Sequence, residues 1–275
     1  MPELAEVETI RRDVAALYAG RAITGVEVHG VRSVRRHAVP GEFISRVAGR
    51  RLVAARRRGK YLLLDLDGGD TVVAHLGMSG QLLTADPGQP LARHTHVRLA
   101  FDTGPDLRFV DPRTFGQMWV TRPEQGAIPE LSHLGFDPLE DPDAADLVAA
   151  LTRRPTRLKP LLMDQSRVAG IGNMYADEIL FAARLRPDRP AASLSATETR
   201  RLYRAMVSVL TDAVAHRGSS LADEQYRDLY GRVGEYQKKH KVYARGGQPC
   251  PRCRAEITRV RTGGRSSFYC TSCQT

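Results

Sequence analysis

No apolar run in the 275-residue sequence approaches the ~20 residues needed to span a bilayer, so a membrane-crossing helix is not expected. A secretory leader needs a basic and then an apolar stretch, but the first residues, Met1-Pro2-Glu3-Leu4-Ala5-Glu6, carry carboxylates there. A cytoplasmic location is expected on that ground. Cysteine is missing from the first 249 residues, and all four lie in the last 26. In a reducing compartment that pattern excludes a disulfide-stapled fold and points to metal. No internal repeat is present, which argues against a solenoid. Acids are scarce toward the end: Arg232 to Arg265 holds ten Lys/Arg against two acids, a net of +8 of the chain's formal +10.

What is present fits a globular chain of one large or two modest domains, with 42% apolar residues. The basic balance suits a polyanionic partner, although a solvated basic face accounts for charge equally well. A second cluster, Arg50, Arg51, Arg56, Arg57, Arg58 and Lys60, lies in the N-terminal half. Two clusters far apart in sequence suit a groove for nucleic acid better than one face does.

Leu4, Val7, Ile10, Val14, Leu17 and Tyr18 recur at helical spacing and predict an amphipathic helix over 2–19, stopped by Gly20. From about 22 to 121 the apolar runs shorten to strand length, at Thr24–His29, Tyr61–Leu66, Val72–Leu76, Val97–Phe101 and Leu107–Val110. Turn chemistry at Asp67-Gly68-Gly69-Asp70 and Asp102-Thr103-Gly104-Pro105-Asp106 predicts hairpins between them. A β-sandwich or barrel-like core follows. Thr121–Pro142, with four prolines, reads as a linker. Helices are predicted over 143–151, 157–165, 174–184 and 196–216, the last with a capping box at Ser195 and Glu198. A polar loop over 219–247 and a cysteine-bearing hairpin complete an α+β chain. The expected division is 1–135, 136–240 and 241–275.

Cys250-x2-Cys253 and Cys270-x2-Cys273, sixteen residues apart, place two thiolates on each of two tight turns. That spacing matches a tetrahedral four-cysteine zinc site, structural because no coordination position remains for water. Arg254, Arg259, Arg261 and Arg265 lie between the pairs and can meet phosphate.

Pro2 follows the initiator methionine. Removal of that methionine leaves a secondary amine, a group neutral often enough at physiological pH to attack a sugar C1′ and form an iminium. Glu3 and Glu6 are placed to donate a proton and to orient the amine or a water. A plainer account also fits the segment, since proline and glutamate are both favoured in a helix's first turn.

Several segments together decide between these accounts: Pro2-Glu3-Leu4-Ala5-Glu6-Val7-Glu8-Thr9, Gly59-Lys60-Tyr61-Leu62-Leu63-Leu64, His75-Leu76-Gly77-Met78-Ser79-Gly80 and Asp111-Pro112-Arg113-Thr114-Phe115-Gly116. They continue with Leu158-Lys159-Pro160-Leu161-Leu162-Met163-Asp164, Gly170-Ile171-Gly172-Asn173-Met174-Tyr175-Ala176-Asp177-Glu178 and the terminal cysteine hairpin. In this order they resemble the formamidopyrimidine-DNA glycosylases, relatives of endonuclease VIII, over essentially the whole chain. The resemblance implies an N-terminal β-sandwich, a helical domain with a helix–two-turn–helix motif, a zinc ribbon and damaged duplex DNA in the cleft between the domains. It implies excision of oxidised purines such as 8-oxoguanine and formamidopyrimidines by base flipping, then β- and δ-elimination by a monomer. Pro2 is then the nucleophile, Glu3 the general acid and Glu6 their support, with Lys60 in the catalytic set and on phosphate.

By the same resemblance His75, Asn173 and Arg265 grip phosphates, while Met78, Arg113 and Phe115 fill the space left by the extruded base. Lys159 matches a lysine near the lesion pocket. Asn173 can also serve as a helix N-cap. Ala5 stands where the family usually has proline, so a slightly looser first turn is expected. The loop 219–237, with Asp223, Glu224, Tyr226, Asp228 and Tyr230, lies where the family places its lesion-capping loop and differs from the usual versions. A same-fold protein that binds lesions without excising them, or prefers another lesion, is the competing expectation.

Overall fold

A computed structural model describes residues 2–124, 126–140, 148, 155–221, 225–262 and 264–275. The helix expected over 143–151 and the acids Asp223 and Glu224 lie outside the described residues, apart from Val148. Two compact units are formed. The first comprises residues 1–132 and 216–237, the second 133–215 and 238–275.

The first unit opens with α1 (Leu4–Tyr18), whose Leu4, Val7, Ile10, Val14 and Tyr18 are all buried. Its strands are β1 (Ile23–Val28), β2 (Leu52–Arg58), β3 (Tyr61–Leu66), β4 (Thr71–His75), β5 (Gln81–Ala85), β6 (Thr95–Phe101), β7 (Asp106–Val110) and β8 (Gln117–Thr121). They pair antiparallel into two four-stranded sheets, ordered β1-β6-β7-β5 and β2-β3-β4-β8. Both sheets contribute to one core. Strand β6 shows why: Thr95, Val97, Leu99 and Phe101 alternate inward with period two. Both hairpins read from turn chemistry are present, between β3 and β4 and between β6 and β7.

Within the run 22–121, two helical segments between the strands were not foreseen in the sequence. Residues Val31–Val34 form a 3-10 turn, and Pro40–Val47 form α2. Pro40 occupies the first helical turn, where its missing N–H costs nothing, and Phe43 and Val47 sit one turn apart with both side chains buried.

In the second unit, α3 (Leu158–Met163), α4 (Asn173–Ala182) and α5 (Ala196–Ala215) precede the ribbon strands β9 (Ile257–Thr262) and β10 (Arg265–Cys270). The capping box of α5 forms as the sequence predicts: the Ser195 amide donates to Glu198 at 2.9 Å, and the Glu198 amide donates to Ser195 Oγ at 3.2 Å. Among the described residues, no helix is long and apolar enough to cross a membrane.

Candidate functional site

Pro2, Glu3 and Glu6 are buried together where α1 begins. Glu6 is 1% exposed and fully engaged: Oε2 accepts the Glu3 amide and Oε1 accepts the Ser219 amide, each at 2.8 Å. The first bond is half of a helix capping box. The second fixes the chain after α5 to α1 within one unit. Ala5 is buried and its carbonyl accepts the Thr9 hydroxyl at 2.8 Å, so the turn that lacks the family's proline is tied by a side chain.

One turn further, Glu8 binds Arg11, Arg12 and the buried Arg57 of β2, at 2.9, 2.8 and 3.2 Å. Burial works to raise this carboxyl, yet the three guanidiniums outweigh it and hold the pKa at about 2. Arg57 also donates to the Gly59 carbonyl at 3.0 Å. Gly59 (φ 57°) opens the two-residue turn that carries Lys60 from β2 into β3, and glycine at that position gives a twist suited to a hairpin. Lys60 is 9% exposed.

His75 ends β4, paired across the ladder with Tyr61. Burial, reinforced by the charges of Lys60, Arg36 and Arg35, lowers its pKa to about 4, so the ring is neutral at physiological pH. The Gly77 amide donates to Nδ1 at 3.3 Å, which leaves the ring proton on Nε2 as a donor. A neutral donor suits a phosphate oxygen without adding charge.

Two short loops next to His75 present exposed side chains. Met78 is 42% exposed and Phe115 46%, unusual for large apolar groups, and the Arg113 guanidinium lies 5.0 Å from the Phe115 ring centroid. Core packing is therefore not their role. Buried Asp111 organises the second loop, accepting from Ser79 Oγ at 2.6 Å, the Arg113 amide at 3.2 Å and the Gly116 amide at 2.7 Å. Gly77, at φ +62°, lets the loops touch, because a Cβ there would stand 2.6 Å from the Gly116 nitrogen.

The sequence reading missed Arg35 and Arg36. Arg35 donates to the carbonyls of Gly116 and Phe115 at 3.1 and 3.4 Å, so it holds the backbone that displays Phe115. Arg36 stacks 3.7 Å from the Trp119 ring centroid. The signal was the run Arg32-Ser-Val-Arg35-Arg36. The cluster Arg50–Lys60, read as groove-lining, is partly committed to acids of this unit: buried Arg57 pairs with Glu8, and exposed Arg56 with Asp65.

In the second unit Lys159 is 5% exposed, with its ammonium 2.8 Å from Asp177 Oδ1 and 2.8 Å from the Ser266 carbonyl. Its charge is engaged in tying α3 and α4 to β10. Burial pushes the Asp177 carboxyl up, while Lys159 and the Phe268 amide act against it. Glu178 accepts the amides of Lys241, Val242 and Tyr243 at 2.9, 2.9 and 2.8 Å. These two buried acids anchor the ribbon to α4, a task no spacing in the sequence announced. The N-cap of α4 is Gly172, not Asn173, because Asn173 has already entered the helix as its first residue. Asn173 Oδ1 is buried without a hydrogen-bond partner among the described residues. Arg265 stands exposed at the start of β10, and Arg254, Arg259 and Arg261 are exposed on the same ribbon.

The four cysteine sulfurs lie within 4.8 Å of one another, with Cys250–Cys273 at 3.9 Å and Cys253–Cys270 at 3.4 Å. A tetrahedral Zn²⁺ with Zn–S near 2.3 Å requires sulfurs about 3.8 Å apart, so the donor set fits one zinc ion. Burial and the neighbouring sulfurs push the Cys273 thiol up to about 12, a crowding that a divalent cation relieves. The ion supplies folding stability here, and all four ligands come from the chain.

A two-sheet unit with an acid-flanked proline at its first helix, joined to a helical unit with a four-cysteine ribbon, defines a protein of the zinc-ribbon class. The comparisons agree in order along the chain. The formamidopyrimidine-DNA glycosylase N-terminal domain matches residues 1–118, the formamidopyrimidine-DNA glycosylase H2TH domain matches 134–225, and the zinc finger found in FPG and IleRS matches 247–275. The formamidopyrimidine-DNA glycosylase of Heliobacterium modesticaldum is 46% identical over 280 residues, covering 100% of both chains. That of Pelotomaculum thermopropionicum is 42% identical over 276 residues, covering 100% of this chain and 99% of its own. The crystal structure of the MutM (Fpg) protein from Thermus thermophilus superposes with a TM-score of 0.86 at 41% identity, covering 99% and 98% of the two chains. Lactococcus lactis Fpg in complex with DNA containing an abasic site gives 0.89 at 29% identity, covering 99% of each. The chain belongs to the formamidopyrimidine-DNA glycosylase family.

Proposed function

We propose that this protein is a bifunctional DNA glycosylase and abasic-site lyase of base excision repair, acting on oxidised purines in duplex DNA. The observation that carries the reading is the buried Pro2–Glu3 pair, held by Glu6, in a chain of this family. The Pro2 nitrogen attacks C1′ of the damaged nucleotide and the bond to the base breaks. Glu3 protonates the sugar ring oxygen as the ring opens, leaving an iminium between proline and deoxyribose. β-Elimination then expels the 3′ phosphate and δ-elimination the 5′ phosphate. Hydrolysis of the remaining adduct frees the enzyme.

Lys60, neutral His75 acting through Nε2, Asn173 and Arg265 hold the phosphates around the extruded nucleotide, offsetting the few kcal/mol that extrusion costs. Met78 and Phe115 wedge into the vacated stack, and Arg113 pairs with the orphaned base. On this reading the unit of residues 1–132 and 216–237 carries catalysis, the unit of 133–215 and 238–275 carries the helix–two-turn–helix motif and the ribbon, and the protein works as a cytoplasmic monomer. Lys159 contributes by holding the ribbon in place.

The test is excision from a panel of single-lesion duplexes with gel analysis of the ends. Release of 8-oxoguanine or formamidopyrimidine with phosphate left on both ends of the gap supports the reading. Tight lesion binding with no base release supports instead a lesion-binding protein of the same fold.

A further inference from the structure

Arg217 follows α5 in the left-handed region, at φ 59°, a conformation a non-glycine residue keeps only when its surroundings impose it. Its guanidinium explains why it stays. Nε donates to Asp228 Oδ2 at 2.7 Å, Nη1 donates to Asp13 Oδ1 at 3.3 Å, and Nη2 bridges Asp13 Oδ2 and Asp228 Oδ2. Asp228 is fully buried, and its other oxygen accepts the amides of Tyr230 and Arg232 at 3.0 and 2.9 Å. The Arg217 carbonyl accepts the buried Tyr226 hydroxyl at 3.0 Å. Arg217 thus joins the 226–232 loop to α1.

Asp13 lies seven residues after Glu6, two turns on along the same face of α1. The strap Arg217-Gly218-Ser219 therefore touches α1 twice, at Asp13 through a side chain and at Glu6 through the Ser219 amide. Gly218 continues the left-handed path at φ +75° and passes so close that a Cβ would meet Glu6 Oε1 at 2.8 Å. The Glu6 oxygen not given to Ser219 holds the Glu3 amide.

We propose that Arg217 is a positioning residue: by clasping Asp13 and Asp228 it seats the Ser219 amide on Glu6, and so sets Glu3 and Pro2 for attack. The inference rests on the glycosylase reading for its kinetic consequence, though not for the clasp itself. A misplacement of about 1 Å at a reacting pair costs about 100-fold in rate, so loss of the clasp acts on the chemical step. Phosphate grip, made by other residues, is left in place.

The test compares Arg217→Gly, which accepts the left-handed backbone without strain, with Arg217→Lys, which returns a charge between the two carboxylates. Single-turnover excision from an 8-oxoguanine duplex should slow about 10- to 100-fold in R217G. The Kd for a duplex with an uncleavable abasic analogue should change less than about threefold, and R217K should recover part of the rate. Hydrogen exchange at the Ser219 amide should quicken in R217G whether or not the wild type is active. A wild-type excision rate in R217G, an equal loss of rate and DNA affinity, or unchanged Ser219 exchange overturns the proposal. Failure of the wild type to excise any lesion overturns the glycosylase reading alone, because the exchange measurement still reads the clasp.

Discussion

Glu6 spends one carboxylate oxygen on the amide of Glu3 and the other on the amide of Ser219, so a residue more than two hundred positions away fixes the start of α1. A carboxylate can accept at both oxygens. A carboxamide can accept at only one and turns an N–H toward the second amide. Glu6→Gln should therefore lower single-turnover excision about 10- to 100-fold with little change in DNA affinity. Equal losses of rate and affinity would place Glu6 on the DNA instead.

Glu8 provides the pH-dependent element of the same helix. Its folded pKa of about 2 lies below the ordinary 4.5, so its contribution is complete above about pH 4.5 and is lost as pH falls toward 2. Glu8→Gln removes that contribution, worth about 3 kcal/mol at pH 7 for a carboxyl held this far below its ordinary value. Urea unfolding of both proteins should show that gap narrowing as pH drops below about 4.5. A gap independent of pH would contradict the assignment.

Much of this was legible in the sequence, for identifiable reasons. Helix α1, the hairpins and the four-cysteine ribbon follow from periodicity, turn residues and spacing, which are local signals. Helix α2 was hidden because its short apolar pair, Phe43 and Val47, is indistinguishable from strand material without the sheet it covers. The bond from the Ser219 amide to Glu6, the Asp177 and Glu178 anchors and the Arg35 support of Phe115 were not legible, since each joins a side chain to a distant backbone group. Lys159 illustrates the same limit: its position in a motif was plain, its partner Asp177 was not.

Zinc removal should act on the second unit. Among the described residues, apolar packing behind the ribbon is a small cluster that includes Val242, Ile257 and Phe268, so beyond the anchors from Asp177 and Glu178 the metal site supplies much of its order. Chelation, or Cys253→Ser, should release one zinc per chain and broaden the NMR signals of β9 and β10 while those of the two-sheet unit persist. DNA binding should fall with the metal. An intact ribbon spectrum after complete zinc loss would refute the structural role.

Arg265 is exposed at the head of β10 with its charge open to phosphate. Arg265→Ala should weaken duplex binding and reduce the slope of log K against log salt by about one. An unchanged slope would remove this arginine from the phosphate contacts.

Catalysis by this route requires the Pro2 nitrogen to become bonded to deoxyribose. The direct measurement is borohydride reduction during reaction with an 8-oxoguanine duplex, on protein shown by intact mass to begin at Pro2. A covalent protein–DNA adduct mapping to Pro2, and sharply reduced in Pro2→Gly with zinc content unchanged, is the predicted result. Correctly processed protein that binds the duplex and yields no adduct would contradict it.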